Sequence, residues 1–151
     1  MSTTAPFGTW PSPISPGTIT TRTVTLSQVR VDGPDTYWVE QRASQAGRQV
    51  LLRRDGDGQV GEVLPLTPSD ELVDVRTGVH EYGGRAYAVD SGIIVVSHAG
   101  DGRLYRYDVN HRLRGLVPLT IYGDVRHGDL EIDTARGLVY AVREAVSYTH
   151  L

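Results

Sequence analysis

The sequence predicts an all-β chain: an incomplete β-propeller of about two and a half blades, built from antiparallel four-stranded sheets. Three observations carry that reading. No window after the first 20 residues keeps apolar residues at the 3, 4, 7 spacing of a helix for three turns; short β-branched and aromatic runs take its place. Gly and Asp punctuate these runs at Asp32-Gly33-Pro34-Asp35, Asp55-Gly56-Asp57-Gly58, Asp90-Ser91-Gly92 and Gly100-Asp101-Gly102. Such residues tolerate the positive φ that tight hairpins need. The runs also recur with a period of roughly 40–50 residues, which at four short strands per unit is the signature of propeller blades.

The elements follow in order. Residues 1–20 form a lead-in with Pro6, Pro11, Pro13 and Pro16; proline fixes φ and removes a donor, so an extended segment is expected there. Blades are expected over 21–144, with strands at Thr36–Gln41, Gln49–Arg54, Gln59–Leu64, Arg85–Val89, Ile93–Ser97, Arg103–Tyr107, Arg112–Val117, Asp129–Ile132 and Leu138–Arg143. Gln49–Asp55 leads to Leu64-Pro65-Leu66-Thr67, and Arg103–Asp108 leads to Val117-Pro118-Leu119-Thr120, 53 positions later. The upstream halves echo too. Tyr37–Glu40 follows Asp32-Gly33, Ile94–Ser97 follows Asp90-Ser91-Gly92, and Leu138–Ala141 follows Asp133-Thr134-Ala135-Arg136-Gly137. Ile93-Ile94-Val95-Val96 is apolar at consecutive positions, as in a strand buried on both faces between neighbouring blades. The copies make two blades and the first half of a third, whereas propellers close with four to eight. The ring is therefore expected not to close within this chain, and an isolated chain with open faces and edges is expected to be poorly stable or to aggregate.

Composition narrows the function classes. The chain has 151 residues, 39% hydrophobic and 22% charged, with net charge −3 and no Cys. Those fractions exclude wholesale disorder and a disulfide scaffold, and zero Cys removes thiol catalysis and Cys-ligated metal. Every basic residue is Arg, and no basic cluster marks a nucleic-acid footprint. The first ten residues lack the basic start and apolar core of a secretory signal, and the longest aliphatic run has four residues. A cytoplasmic protein with no membrane contact is expected.

Catalytic signatures are missing. There is no Gly-x-Ser-x-Gly elbow, no phosphate-binding loop and no dinucleotide fingerprint, so no cofactor is expected. His80-Glu81 lacks a second His at zinc-helix spacing, so no metal is expected either. The densest cluster of special residues is Arg76-Thr77-Gly78-Val79-His80-Glu81-Tyr82-Gly83-Gly84. Arg76, His80 and Glu81 are candidates to line a channel and gate substrate, since a peptide's ammonium terminus requires a carboxylate. Gly83-Gly84 equally fit a bulge or a close backbone approach. Tyr37 and Trp38 read as blade packing.

These residues carry a resemblance. Phe7-Gly8-Thr9-Trp10-Pro11-Ser12-Pro13-Ile14, Val29-Arg30-Val31-Asp32-Gly33 leading to Tyr37-Trp38-Val39-Glu40, and Gly47-Arg48 leading to Leu51-Leu52-Arg53-Arg54 resemble the amino-terminal propeller of prolyl oligopeptidase-family serine peptidases, in their bacterial acylaminoacyl-peptidase and dipeptidyl-aminopeptidase-like branch. Val75-Arg76-Thr77 with Val79-His80-Glu81-Tyr82-Gly83-Gly84 and Ala86-Tyr87 is the most specific match, and Leu104-Tyr105-Arg106 and Val142-Arg143-Glu144 agree with it. The resemblance implies a propeller that caps an α/β-hydrolase domain with a Ser-Asp-His triad and admits short peptides. Acyl transfer to serine and hydrolysis would follow there. None of the triad positions falls on this chain, so its downstream hydrolase domain would be its partner, and the chain alone is expected to be inactive. Two departures stand out: residues 66–74 do not match the family's lead into Val75-Arg76-Thr77, and Arg85 stands where a third Gly is expected. Residues 145–151 resemble a non-native tail.

Two other readings compete. One is a non-catalytic propeller scaffold whose loops bind partners. The other, a metal-dependent propeller hydrolase, lacks an evident set of inward carboxylates.

Overall fold

The structure, a computed structural model, describes residues 24–146 and, before them, positions 4, 6, 8, 9 and 17. Most of the proline-rich lead-in and residues 147–151 lie outside the described residues. Within the lead-in, the Thr9 amide and hydroxyl both donate to Pro6 O, at 3.2 and 2.7 Å, and Gly17 has helical backbone.

Among the described residues, ten strands form three antiparallel sheets. The first holds β1 (Val24–Asp32), β2 (Asp35–Arg42), β3 (Arg48–Arg54) and β4 (Val60–Glu62), hydrogen-bonded in chain order. The second holds β5 (Tyr87–Asp90), β6 (Ile93–Ser97), β7 (Leu104–Asp108) and β8 (Val117–Pro118), again in order. The third is the pair β9 (Val125–Asp133) and β10 (Leu138–Ala145). The all-β partial propeller of two and a half four-stranded blades is what the sequence predicts. Inner strands β1, β5 and β9 lie against one another. Ala145 pairs with Val125 and the Val146 amide donates to Asp124 O, so the β10 ladder runs on to that point. Among the described residues no helix is long and apolar enough to cross a membrane.

The core forms between blades. On one side of the second sheet, Ile94 and Val96 pack with Tyr37, Val39 and Leu51 of the first sheet and with Val73 and Val75 of the connection between them. On the other, Val95, Ala88 and Leu104 close over Leu130 of the third sheet. Ile94, Val95 and Val96 are each at most 1% exposed, so β6 is buried on both faces, as its unbroken apolar run requires.

The structure departs from the sequence expectation in three places. Val24–Asp32, where no strand is expected, forms β1. A register shift between Ser27 and Arg30, with Gln28 at φ 55°, interrupts the alternation that would have marked it. The strand expected at Arg112–Val117 is instead a 3₁₀ turn over Val109–Arg114 followed by the short β8. Asp108 starts that turn by accepting the Asn110 amide at 3.0 Å. The tetrapeptides 64–67 and 117–120 do not superpose as repeats. The Val63 amide bonds Leu51 O, and the Leu119 amide bonds Leu104 O, so the outer hairpin of the second blade is three residues longer. Thr67 accordingly caps its own turn through the Ser69 and Glu71 amides, while the Thr120 hydroxyl accepts the Leu104 amide.

A pH dependence follows from Asp90. The Thr134 hydroxyl, then that of Ser91, holds its carboxyl below the usual 3.8. A carboxyl lowered in the folded state contributes stability that is complete above its unfolded pKa and is lost as pH falls through the folded one. Urea midpoints are expected to fall below about pH 4, and less steeply in Asp90→Asn than in the parent.

Candidate functional site

The link from the first blade to the second crosses the inner end of both. The Val75 amide donates to Gln49 O at 2.8 Å, and Asp74 Oδ1 accepts the Gln49 amide at 2.9 Å, which ties the link to the first blade. The Asp74 amide donates to His98 Nδ1 at 3.1 Å and Asp74 O accepts the Ala99 amide at 2.9 Å, which ties it to the second. Beyond this strap the backbone turns tightly. Thr77 Oγ1 accepts the Val79 amide at 3.3 Å, and a 3₁₀ turn over Val79–Glu81 puts His80 and Glu81 at φ 54° and 64°. Left-handed backbone at two consecutive residues other than Gly is costly, and the third blade holds it in place. Arg126 of β9 donates to Gly78 O at 2.7 Å, and Glu144 of β10 accepts the His80 amide at 2.9 Å. Gly83 sits at φ 79°, a backbone conformation that side chains rarely adopt, and a Cβ there would press on Thr77 O at 3.0 Å.

The result is a cleft of about 790 Å³ whose lining includes Arg76, Glu81, Tyr82, His98, Asp124 and Arg126. Its charges are arranged in alternation. Arg126 Nη1 lies 2.5 Å from Glu81 and 3.8 Å from Glu144, and Arg76 lies 3.0 Å from Asp74. Glu81 is 71% exposed and Arg126 24%, so the carboxylate projects into solvent while its partner is anchored. Tyr82 stands 96% exposed on the same wall. His98 is buried, and its Nε2 has no hydrogen-bond partner; the nearest carboxylate, Glu71, is 3.8 Å away. At the wall of the cleft, which Gln28 and Ala86 line, the bulged residues Gln28 and Asp129, both at positive φ, accept the Ala86 and Arg85 amides. Arg30 at 3.0 Å and Arg85 both pair with Glu131 across the inner strands. Desolvation of Glu131 acts against ionisation, but the hydrogen bond and charge of Arg30, followed by those of Arg85, outweigh it and hold the carboxyl below its usual range. Among the described residues no three His, Asp or Glu side chains are grouped to hold a metal ion.

No family model and no curated protein matches the chain. Solved structures do. A Mycobacterium tuberculosis puromycin-hydrolyzing peptidase is 33% identical over 96% of this chain, with a TM-score of 0.76. Puromycin hydrolase is 33% identical over 91% of it, with a TM-score of 0.71. The chain matches the propeller of a prolyl oligopeptidase-family peptidase. It spans 22% of the length of each of these two structures.

Within this propeller segment the sequence candidates separate. Arg76 and Glu81 share the cleft. His80 sits outside its lining, 70% exposed, with Nδ1 3.6 Å from Glu144. Tyr37 is fully buried in the blade core, and Trp38 is half-buried, with Nε1 donating to Glu40 at 3.4 Å. Arg126, the partner of Glu81, is not legible in the sequence, for the two lie 45 positions apart and no local pattern joins them.

Proposed function

We propose that this chain is the amino-terminal part of the gating propeller of a cytoplasmic serine peptidase that hydrolyses short or N-blocked peptides. The catalytic α/β-hydrolase domain lies outside the chain in this reading. The observation that carries it is the cleft at the inner blade ends, where Glu81 projects into solvent from a strained, doubly anchored turn. The likeness to puromycin-hydrolysing proteins supports a hydrolase as the whole. Glu81 and Arg126 together offer a carboxylate to an ammonium and a guanidinium to a carbonyl or carboxylate, which are the groups a short peptide exposes at its ends. Arg76 lines the same cleft, and His80 stands just outside it. In this reading the propeller would admit short peptides and keep folded proteins out.

The test is hydrolysis by the gene product extended beyond residue 146, assayed with a free tripeptide amide and its N-acetyl counterpart. In Glu81→Gln, kcat/KM for the free tripeptide is expected to fall about tenfold, the worth of one charge-assisted hydrogen bond, and that for the acetylated one to stay unchanged. Equal losses on both substrates would remove Glu81 from terminus recognition. An extended product with no serine triad and no hydrolysis would leave the non-catalytic scaffold as the reading.

A further inference from the structure

Each of the three inner strands ends on an aspartate. Asp32 closes β1 and pairs with Asp35, Asp90 closes β5 and pairs with Ile93, and Asp133 closes β9 and pairs with Leu138. Two of these carboxylates reach across to the following sheet. Asp32 accepts the Ser91 amide on Oδ1 at 3.0 Å and the Gly92 amide on Oδ2 at 2.7 Å. Asp90 Oδ2 accepts the Thr134 hydroxyl at 2.6 Å and the Thr134 amide at 3.3 Å. The direction is the same both times: the last residue of one inner strand grips the inner hairpin turn of the next blade. In both receiving turns the first residue carries a hydroxyl.

Asp133 is the third member of the series. Its oxygens take the Arg136 amide at 3.0 Å and the Arg136 guanidinium at 2.6 Å, both within its own turn. That guanidinium is 72% exposed, so the ion pair yields readily to a better partner. A carboxylate accepts about four hydrogen bonds, so the backbone contact need not be lost. Beside it, β10 leaves Leu138, Tyr140 and Val142 46%, 54% and 39% exposed.

We propose that Asp133 is the latch for a fourth four-stranded sheet, which docks with the backbone N–H groups of a Ser- or Thr-initiated inner hairpin turn on this carboxylate. The occupant is not a second copy of the chain. The first blade's inner turn is Gly33-Pro34, with no hydroxyl on its first residue and no N–H on its second, so it offers one donor where Ser91-Gly92 and Thr134 each offer two. The inference rests on the fold and stands apart from the hydrolase reading.

The premise is read on the chain itself by amide hydrogen exchange. Asp32→Ala should speed exchange at Gly92, and Asp90→Ala at Thr134, each by about tenfold or more, the worth of a charge-assisted hydrogen bond. The docking is read on the chain with a copy of residues 43–123 joined after Val146. That copy supplies the outer strands the third sheet lacks and then a complete fourth sheet. With the appended segment isotope-labelled for NMR, its copied Gly92 amide is expected to be protected; Asp133→Ala is expected to remove the protection, and Arg136→Ala, which breaks only the ion pair within the turn, to keep it. An appended turn that exchanges freely, one whose protection ignores Asp133, or native turns that ignore Asp32 and Asp90, would each overturn the proposal.

Discussion

Ile94→Ala is expected to destabilise the chain by about 3–4 kcal/mol, the cost of a large-to-small change where the surroundings cannot collapse. Ile94 is fully buried, paired with Val89 on one side and Tyr107 on the other, and it faces the cluster that joins the first two blades. Its neighbours Tyr37, Val39 and Leu51 belong to a different sheet, so a cavity at residue 94 removes contacts between blades as well as within one. With a urea m-value of about 2 kcal/mol/M for a chain of this size, the midpoint should drop by about 1.5–2 M. Ile121→Ala is the control: at 91% exposure it should change stability by less than about 0.5 kcal/mol. A domain of marginal stability has only about 5–15 kcal/mol to lose, so Ile94→Ala should also show raised amide exchange in β6 under native conditions. A shift no larger than the Ile121 control would mean that the two sheets do not share one core.

The second strands of the blades were the legible part of this fold. Tyr37–Glu40, Ile94–Ser97 and Leu138–Ala141 each follow an aspartate-led turn, and each is the strand after an inner one. Local turn chemistry and a run of apolar residues suffice to mark such strands. The inner strand β1 was not legible, because its bulge at Gln28 shifts the side-chain alternation by one residue; β9 was found only in part, and Asp129 sits at a similar bulge. The two bulges lie four positions before Asp32 and Asp133, so they recur with the blade, but a single slip in a short strand looks like the loss of a pattern. At the cleft, the glycine-rich stretch 76–84 announced a special backbone, and the structure gives its reason in the Thr77 carbonyl packed against Gly83. The partners Arg126 and Glu144 carried no such mark. They reach the turn from a different sheet, at sequence separations of 45 and 64 residues.

The isolated 151-residue chain is expected to self-associate, with monomer lost at concentrations of roughly 10 μM and above, the range in which open sheet faces aggregate. The bulge in β1 brings Val24, Leu26, Val29 and Val31 onto one face, and all four are 53–69% exposed. At the far end of the chain, Leu138 and Tyr140 of β10 expose a second apolar surface. The two surfaces belong to different sheets, so contact between copies is head-to-tail and adds units without closing. Each contact also lacks the full two-donor latch, because Gly33-Pro34 offers a neighbour's Asp133 a single N–H. The expected species are therefore a broad distribution of oligomers rather than a defined dimer. Light scattering during size-exclusion chromatography checks this: the mean mass should rise with loading concentration in the parent chain. In the double variant Leu26→Lys, Val29→Lys it should fall toward the monomer, since charge on an open sheet face is the ordinary defence against such pairing. A sharp monomer peak for the parent at all loadings would show that these two and a half blades bury enough of their own surface to stand alone.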